Sequence, residues 1–137
     1  MKLLFIHSEW MKYEVRKKTK IAQRLEEKDK KKKFGQVLVV KICAESKDEN
    51  KDDILEKTAR NIKDIAKKVG ESNIVLFPFA HLSDDLSNPV FALELIKNLK
   101  KCLEKSGYIV DTVPFGWVKK WSLETKGHPL AVLSRRL

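Results

Sequence analysis

This chain of 137 residues lacks most of the features that settle a function at once. It has only two cysteines, Cys43 and Cys102, far apart in sequence. That excludes a disulfide framework and suits a reducing cytoplasm. Its histidines, His7, His81 and His128, form no pair at metal-ligand spacing with a cysteine or carboxylate, so no metal and no other cofactor is expected. No apolar run is long enough for a transmembrane helix, and residues 1–7 are too short a run for a signal peptide. There is no G-x-G-x-x-G, no G-x-x-x-x-G-K-[ST] and no G-x-S-x-G, which removes the dinucleotide, P-loop and serine-elbow motifs. No repeat and no linker divides the chain, so one domain over residues 1–137 is expected.

What is present is charge. Charged residues make up 35% of the chain, hydrophobic residues 42%, and the formal net charge is +10. A packed core is therefore within reach, and the excess of lysine points to a polyanionic partner: nucleic acid first, an anionic membrane surface second. Lys119 and Lys120 stand beside Trp117 and Trp121. Lysine flanked by aromatics suits a nucleotide end, where bases stack and the ammonium meets phosphate or ribose. A strand hairpin with aromatic cross-strand pairs and surface lysines accounts for the same residues.

Periodicity places the elements. Residues 2–7 read as a first strand, Ser8-Glu9 as a turn, and residues 10–15 as a second strand in a hairpin. Residues 16–33 are lysine-rich. Ile21, Ala22 and Leu25 anchor a short helix there, and the segment after them reads as a mobile solvated loop. Residues 36–44 are the strongest strand, with β-branched residues almost unbroken, as burial on both faces requires. Within it Cys43 reads as an inert hydrophobe. Leu55, Ala59, Ile62, Ala66 and Val69 give a helix over residues 52–69, stopped by Gly70. Residues 73–76 form a buried strand. Asn88 and Pro89 start a second helix with Leu93, Ile96, Leu99 and Leu103 inward, ended by Gly107. Residues 108–113 and 117–123 read as a strand hairpin around Pro114-Phe115-Gly116, and the tail as a turn followed by a short helical stretch. The order predicts an α/β or α+β fold: a mixed β-sheet with two main helices packed on one face.

One stretch stands apart: Phe77-Pro78-Phe79-Ala80-His81-Leu82-Ser83, where a buried strand runs into a proline turn carrying a lone histidine. Sites gather at such strand ends because the sheet fixes the backbone and the loop exposes it. This stretch, residues 3–8 with Tyr13-Glu14, and residues 114–119 with 126–131 and 133–135 together resemble the archaeal N-terminal editing domain of threonyl-tRNA synthetase. The order and spacing of the blocks hold across nearly the whole chain.

The resemblance implies a D-aminoacyl-tRNA deacylase-like fold, a homodimer, and hydrolysis of the ester in seryl-tRNA(Thr) with help from the terminal ribose 2′-hydroxyl. It implies a synthetase catalytic domain in the same or another chain, and no membrane. By position, Lys119 and His81 are the expected catalytic residues. Pro78, Ala80, Ala44, Glu45, Trp117 and Val118 are the expected substrate-binding set, the first two through their backbone. His7 and His128 match motif positions read as structural. The chain departs from the family pattern at Val118, where a tyrosine is usual, at Thr125, usually cysteine, and at Val132, usually glutamate. The last removes a carboxylate expected near the site. That leaves two rivals: a tRNA-binding module without editing activity, and a free-standing D-aminoacyl-tRNA deacylase, whose Ser-Gln-Phe-Thr signature is absent.

Overall fold

The computed structural model describes residues 1–137. Its middle strand is β3, Val37–Cys43, in which every residue is buried. A strand with no exposed position needs cover on both faces and partners on both edges. β3 pairs antiparallel with β1, Lys2–Lys18, placing Leu3 opposite Ile42. On its other edge it pairs parallel with β4, Asn73–Pro78, placing Val39 opposite Val75. β4 in turn pairs parallel with β5, Ile109–Thr112. Parallel neighbours need crossovers, and two helices supply them: α1, Ile54–Val69, between β3 and β4, and α2, Pro89–Lys105, between β4 and β5.

Both helices lie on one face of the sheet. Ile54, Ala59, Ile62, Ile65 and Ala66 of α1 and Leu95, Ile96, Leu99 and Leu103 of α2 share a core with the sheet. The sheet contributes Leu3 and Phe5 from β1, Leu38 and Val40 from β3, and Ile74 and Leu76 from β4. The expected helix signals operate as read. Gly70 closes α1 in the left-handed conformation at φ 69°, and Asn88 Oδ1 accepts from the Val90 N–H at 2.8 Å with Pro89 in the first turn. The inward stripe of α2 uses Leu95 as buried residue, whereas Leu93 is only half-buried.

β1 is the organising strand, and here the structure corrects the sequence reading. There is no turn at Ser8-Glu9. β1 runs unbroken for 17 residues because it has a partner on each edge along its length. On one edge lie β3 and then β2, Lys31–Phe34; on the other lie β7, Val132–Arg136, and then β6, Trp117–Thr125. A bulge between Ser8 and Trp10 shifts the β6 register. Leu4 and Ile6 face the second core before the bulge; Met11, Tyr13 and Val15 face it afterwards. The extra residue bends the strand, so that β2, β6 and the distal half of β1 turn over the face opposite the helices. They enclose Val37, Val39, Val75 and Phe77 there. Lys32 Nζ on β2 reaches Asp111 Oδ1 on β5 at 3.3 Å, tying the two ends of the curled sheet together.

Four further expectations fall, the first three to the same cause, non-local pairing. β6 pairs with β1 and not with β5, so residues 108–123 are no hairpin. The tail is the strand β7 and not a helix, because the edge of β1 beside Leu3 and Phe5 accepts it. Residues 30–33 belong largely to the edge strand β2, where charged side chains protect an open edge. Ile21, Ala22 and Leu25 form no helix, and Ile21 is 49% exposed.

Candidate functional site

A cavity of about 460 Å³ opens where β3 and β4 end. These are carboxyl ends of adjacent parallel strands, the usual place for a ligand in an open sheet with crossover helices. Ile42, Cys43 and Ala44 come from β3 and its continuation, and Phe77 to His81 from β4 and the turn after it. Pro89 and Ala92 come from the start of α2, and Trp117 to Lys119 with Trp121 from β6. The lining is mainly apolar.

The turn at 77–83 is held to β3 by backbone. Pro78 sits opposite Ile42 in the ladder, a position at which β3 bonds to the residues on either side of it and needs no N–H from the proline. The Phe79 N–H then donates to Ile42 O at 2.9 Å. Pro78, Ala80, His81, Ala44, Trp117, Val118 and Lys119 all line the cavity. Glu45 does not. It is buried just behind Ala44, where it accepts from the Met1 ammonium at 3.0 Å and from Ser83 Oγ at 2.7 Å. Burial raises its pKa, but the Ser83 hydroxyl and the Met1 ammonium outweigh burial and hold the carboxyl below its usual range. Glu45 anchors the turn and the β3 end from outside the cavity.

Lys119 projects from β6 with its amine 5.4 Å from the Phe77 ring centroid and no carboxylate in ion-pair range. Burial pushes its pKa down to about 8, since the charged form is the one that loses hydration. His81 is exposed, with its ring edge-on to Phe79 at 4.9 Å. No acidic residue orients it, so the site holds no hydrogen-bonded triad. An apolar cavity with one desolvated amine and one imidazole at its rim can bind a small polar group by backbone and stabilise developing negative charge with an ammonium.

Sequence reading missed part of the rim. Thr19 and Ile21, at the start of the lysine-rich stretch and at the expected short helix, line the cavity. That stretch is pinned to the 114–117 turn. The Gln23 N–H donates to Phe115 O at 3.0 Å, the Phe115 N–H to Gln23 Oε1 at 2.8 Å, and Trp117 Nε1 to Gln23 O at 2.8 Å. Gly116 makes the close approach possible. It has φ 77°, and a Cβ there would run into the Ile21 backbone. Lys41 was missed as well, although a single cation inside the apolar run of β3 was a visible signal. It is 4% exposed, and its amine lies 3.5 Å from the Trp121 ring centroid and 4.0 Å from that of Phe79.

Two motif residues fall elsewhere. His7 and His128 are joined at 2.7 Å, and His7 Nε2 meets Glu71 Oε1 at 3.0 Å. The Leu130 N–H donates to His128 Nδ1 at 3.2 Å, so His128 carries its proton on Nε2 and donates to His7 Nδ1. His7 Nε2–H then donates to Glu71, and the chain of bonds ties the 127–131 turn to β1 and the start of β4. Val132 sits opposite Ile6 on β7, 53% exposed and outside the cavity lining.

A family model described as the archaea-specific editing domain of threonyl-tRNA synthetase matches residues 1–137. The threonine–tRNA ligase of Thermococcus onnurineus is 42% identical over 139 residues, and that of Methanococcoides burtonii 41% over 138. Each comparison takes in 100% of this chain and 22% of the relative, so the chain spans about a fifth of the length of these ligases. Among solved structures, the c-Myc DNA unwinding element binding protein is similar with a TM-score of 0.71 at 11% identity, covering 100% of this chain and 99% of that one. At that identity the likeness is one of fold alone. No helix here is long and apolar enough to cross a membrane.

Proposed function

Because the chain belongs to the archaea-specific editing-domain family of threonyl-tRNA synthetase, we propose that it hydrolyses the ester of mischarged seryl-tRNA(Thr) as the editing unit of such a synthetase. The observation that carries this reading is the Lys119 amine on the wall of an apolar cavity, facing the backbone-lined turn at Pro78 and Ala80. Serine and threonine differ by one methyl group, worth only about 1–3 kcal/mol in a single selection step. A second pocket shaped for serine removes what the first step admits.

In this reading a water attacks the ester carbonyl, its oxygen bonds to the acyl carbon, the bond to the ribose oxygen breaks, and that oxygen leaves as a hydroxyl. The neighbouring ribose hydroxyl of the terminal adenosine positions the water. The Lys119 ammonium stabilises the negative charge that develops on the acyl oxygen, at a place where low hydration strengthens the interaction. His81, at the rim, contacts the nucleotide. Pro78, Ala80 and Ala44 hold the aminoacyl group through the main chain, and Trp117 and Val118 border the nucleotide end.

The tRNA body lies along the outer face of β2, β1 and β6. Lys12 stands directly opposite Lys33, and Lys31 and Lys120 both stand opposite Glu14. None of these four lysines has an ion-pair partner, although Glu14 and Glu124 share the face. Like charges paired across strands cost stability, and a phosphate backbone relieves that cost. A homodimer acting in the cytoplasm is the expected setting.

Deacylation of Ser-tRNA(Thr) and Thr-tRNA(Thr) by the purified protein tests the reading. Faster release of serine than of threonine is expected. No acceleration of either over buffer overturns it, and salt-sensitive tRNA binding without deacylation selects the non-catalytic binding module instead.

A further inference from the structure

A buried ammonium with no anion beside it is expensive, because it loses hydration and gains little in return. Lys41 is such a group. It is 4% exposed, in the most buried strand, and makes no ion pair and no side-chain hydrogen bond. Three aromatic rings surround its amine: Trp121 at 3.5 Å, Phe79 at 4.0 Å and Phe77 at 5.3 Å from their centroids. The rings meet each other edge to face, Phe77 with Phe79 at 5.7 Å and Phe77 with Trp121 at 5.4 Å. They come from two different layers, Phe77 and Phe79 from the β4 end and Trp121 from the overlying β6. All three also line the cavity, while Lys41 does not. Phe77 is shared by the two amines, with Lys41 at 5.3 Å and Lys119 at 5.4 Å.

We propose that Lys41 is a positioning residue for the deacylation, its ammonium clamping the β4 turn to β6 through the three rings and so setting where Lys119 stands against the turn. The inference rests on the reading of the cavity as a deacylase site. The aromatic faces are electron-rich and attract the ammonium from both layers at once. An apolar side chain would fill the same volume without that directional hold. Lys119 sits two residues from Trp121 on the same face of β6, so a shift of the ring along the strand carries the Lys119 amine with it. Catalytic steps that depend on position lose rate steeply when a group moves by about 1 Å.

Lys41→Met and Lys41→Arg, assayed on Ser-tRNA(Thr) with thermal unfolding in parallel, test the clamp. The expected result for Lys41→Met is a kcat lowered by about 10- to 100-fold with KM within about twofold. Its Tm is expected to be no lower than that of the parent, and Lys41→Arg is expected to recover most of the rate. A Lys41→Met protein with parental kcat overturns the proposal. So does loss of rate in both variants together with a lowered Tm, which marks a merely structural residue. Should Lys41→Met fail to fold, Trp121→Phe supplies the second route. It keeps an aromatic ring and weakens the closest contact, and unchanged kcat in that variant overturns the clamp. A parent that releases no serine overturns the deacylase reading itself, whereas an active parent with an indifferent Lys41→Met overturns this inference alone.

Discussion

Lys41 and Lys119 are both lysines whose pKa burial lowers to about 8, and their signs of effect can be worked out separately. For stability, a lysine with a folded pKa below its unfolded value penalises the folded state most at low pH. The penalty lifts as pH rises from about 8 towards the unfolded value of 10.5. Lys41→Met is therefore expected to be more stable than the parent at pH 7 by about 1–2 kcal/mol, the rings returning part of the cost of the buried charge. That margin should close by pH 10, which urea unfolding at the two pH values measures. In the proposed deacylation the charged form of Lys119 is the useful one, so the acceleration over buffer should fall as pH passes about 8. Lys119→Met should lose about 10²–10³ in kcat with no loss of stability, the loss in rate typical of one donor removed from a developing oxyanion. Lys119→Arg, still charged at high pH, should carry its residual activity further into alkali. Glu45 contributes stability instead of a penalty, in a lower pH window. Its lowered pKa stabilises the fold above the usual carboxylate range, and that contribution disappears as pH falls through the folded value.

Among the elements, the turn at 114–116 and the stretch at 19–23 act as one unit. Thr19 hydroxyl and N–H both donate to Gly116 O, and Gln23 brackets Phe115 and Trp117. Gly116→Ala is expected to cost more than about 2 kcal/mol, from a left-handed backbone without glycine and a contact with the Ile21 backbone. Because this unit forms the cavity rim, the variant should also raise KM for the tRNA, which a deacylation series over substrate concentration reads. The helices, in contrast, could be read from their own residues. The stripe of α1, the Asn88 cap and Gly70 depend on neighbours within a turn or two, and local spacing carries that information.

For the whole molecule, the curled sheet puts the cavity on its inside and charge on its outside. The inner face of β6 presents Lys119 and Trp121 to the cavity, while Lys120 on the next residue faces out among the lysines of β1 and β2. Binding of tRNA should therefore weaken steeply with salt, and Lys12→Glu with Lys33→Glu should weaken it further and flatten the salt slope. Filter binding across a salt series checks this. Cleavage of a short seryl-adenosine ester by the same double variant should stay at the parental rate, since the cavity lies on the other side of the ribbon.

Residue order was enough to expose the strong strand, both helices, the mixed sheet and the turn from Phe77 to Ser83, because each is announced by neighbours within a few positions. The resemblance of its motifs to the editing-domain family put Lys119, His81 and the residues around them in one set, all of which except Glu45 line the cavity. The partners of β1 could not be read that way. Whether residues 117–125 pair with the strand just before them or with one a hundred residues earlier depends on which edge is open once the core has formed. The same holds for Lys41. In sequence it is a lone lysine in a row of valines. Only when β6 folds over the end of β4 do three rings close round its amine, because desolvation and cation–π attraction depend on what lies across the sheet and not along the chain.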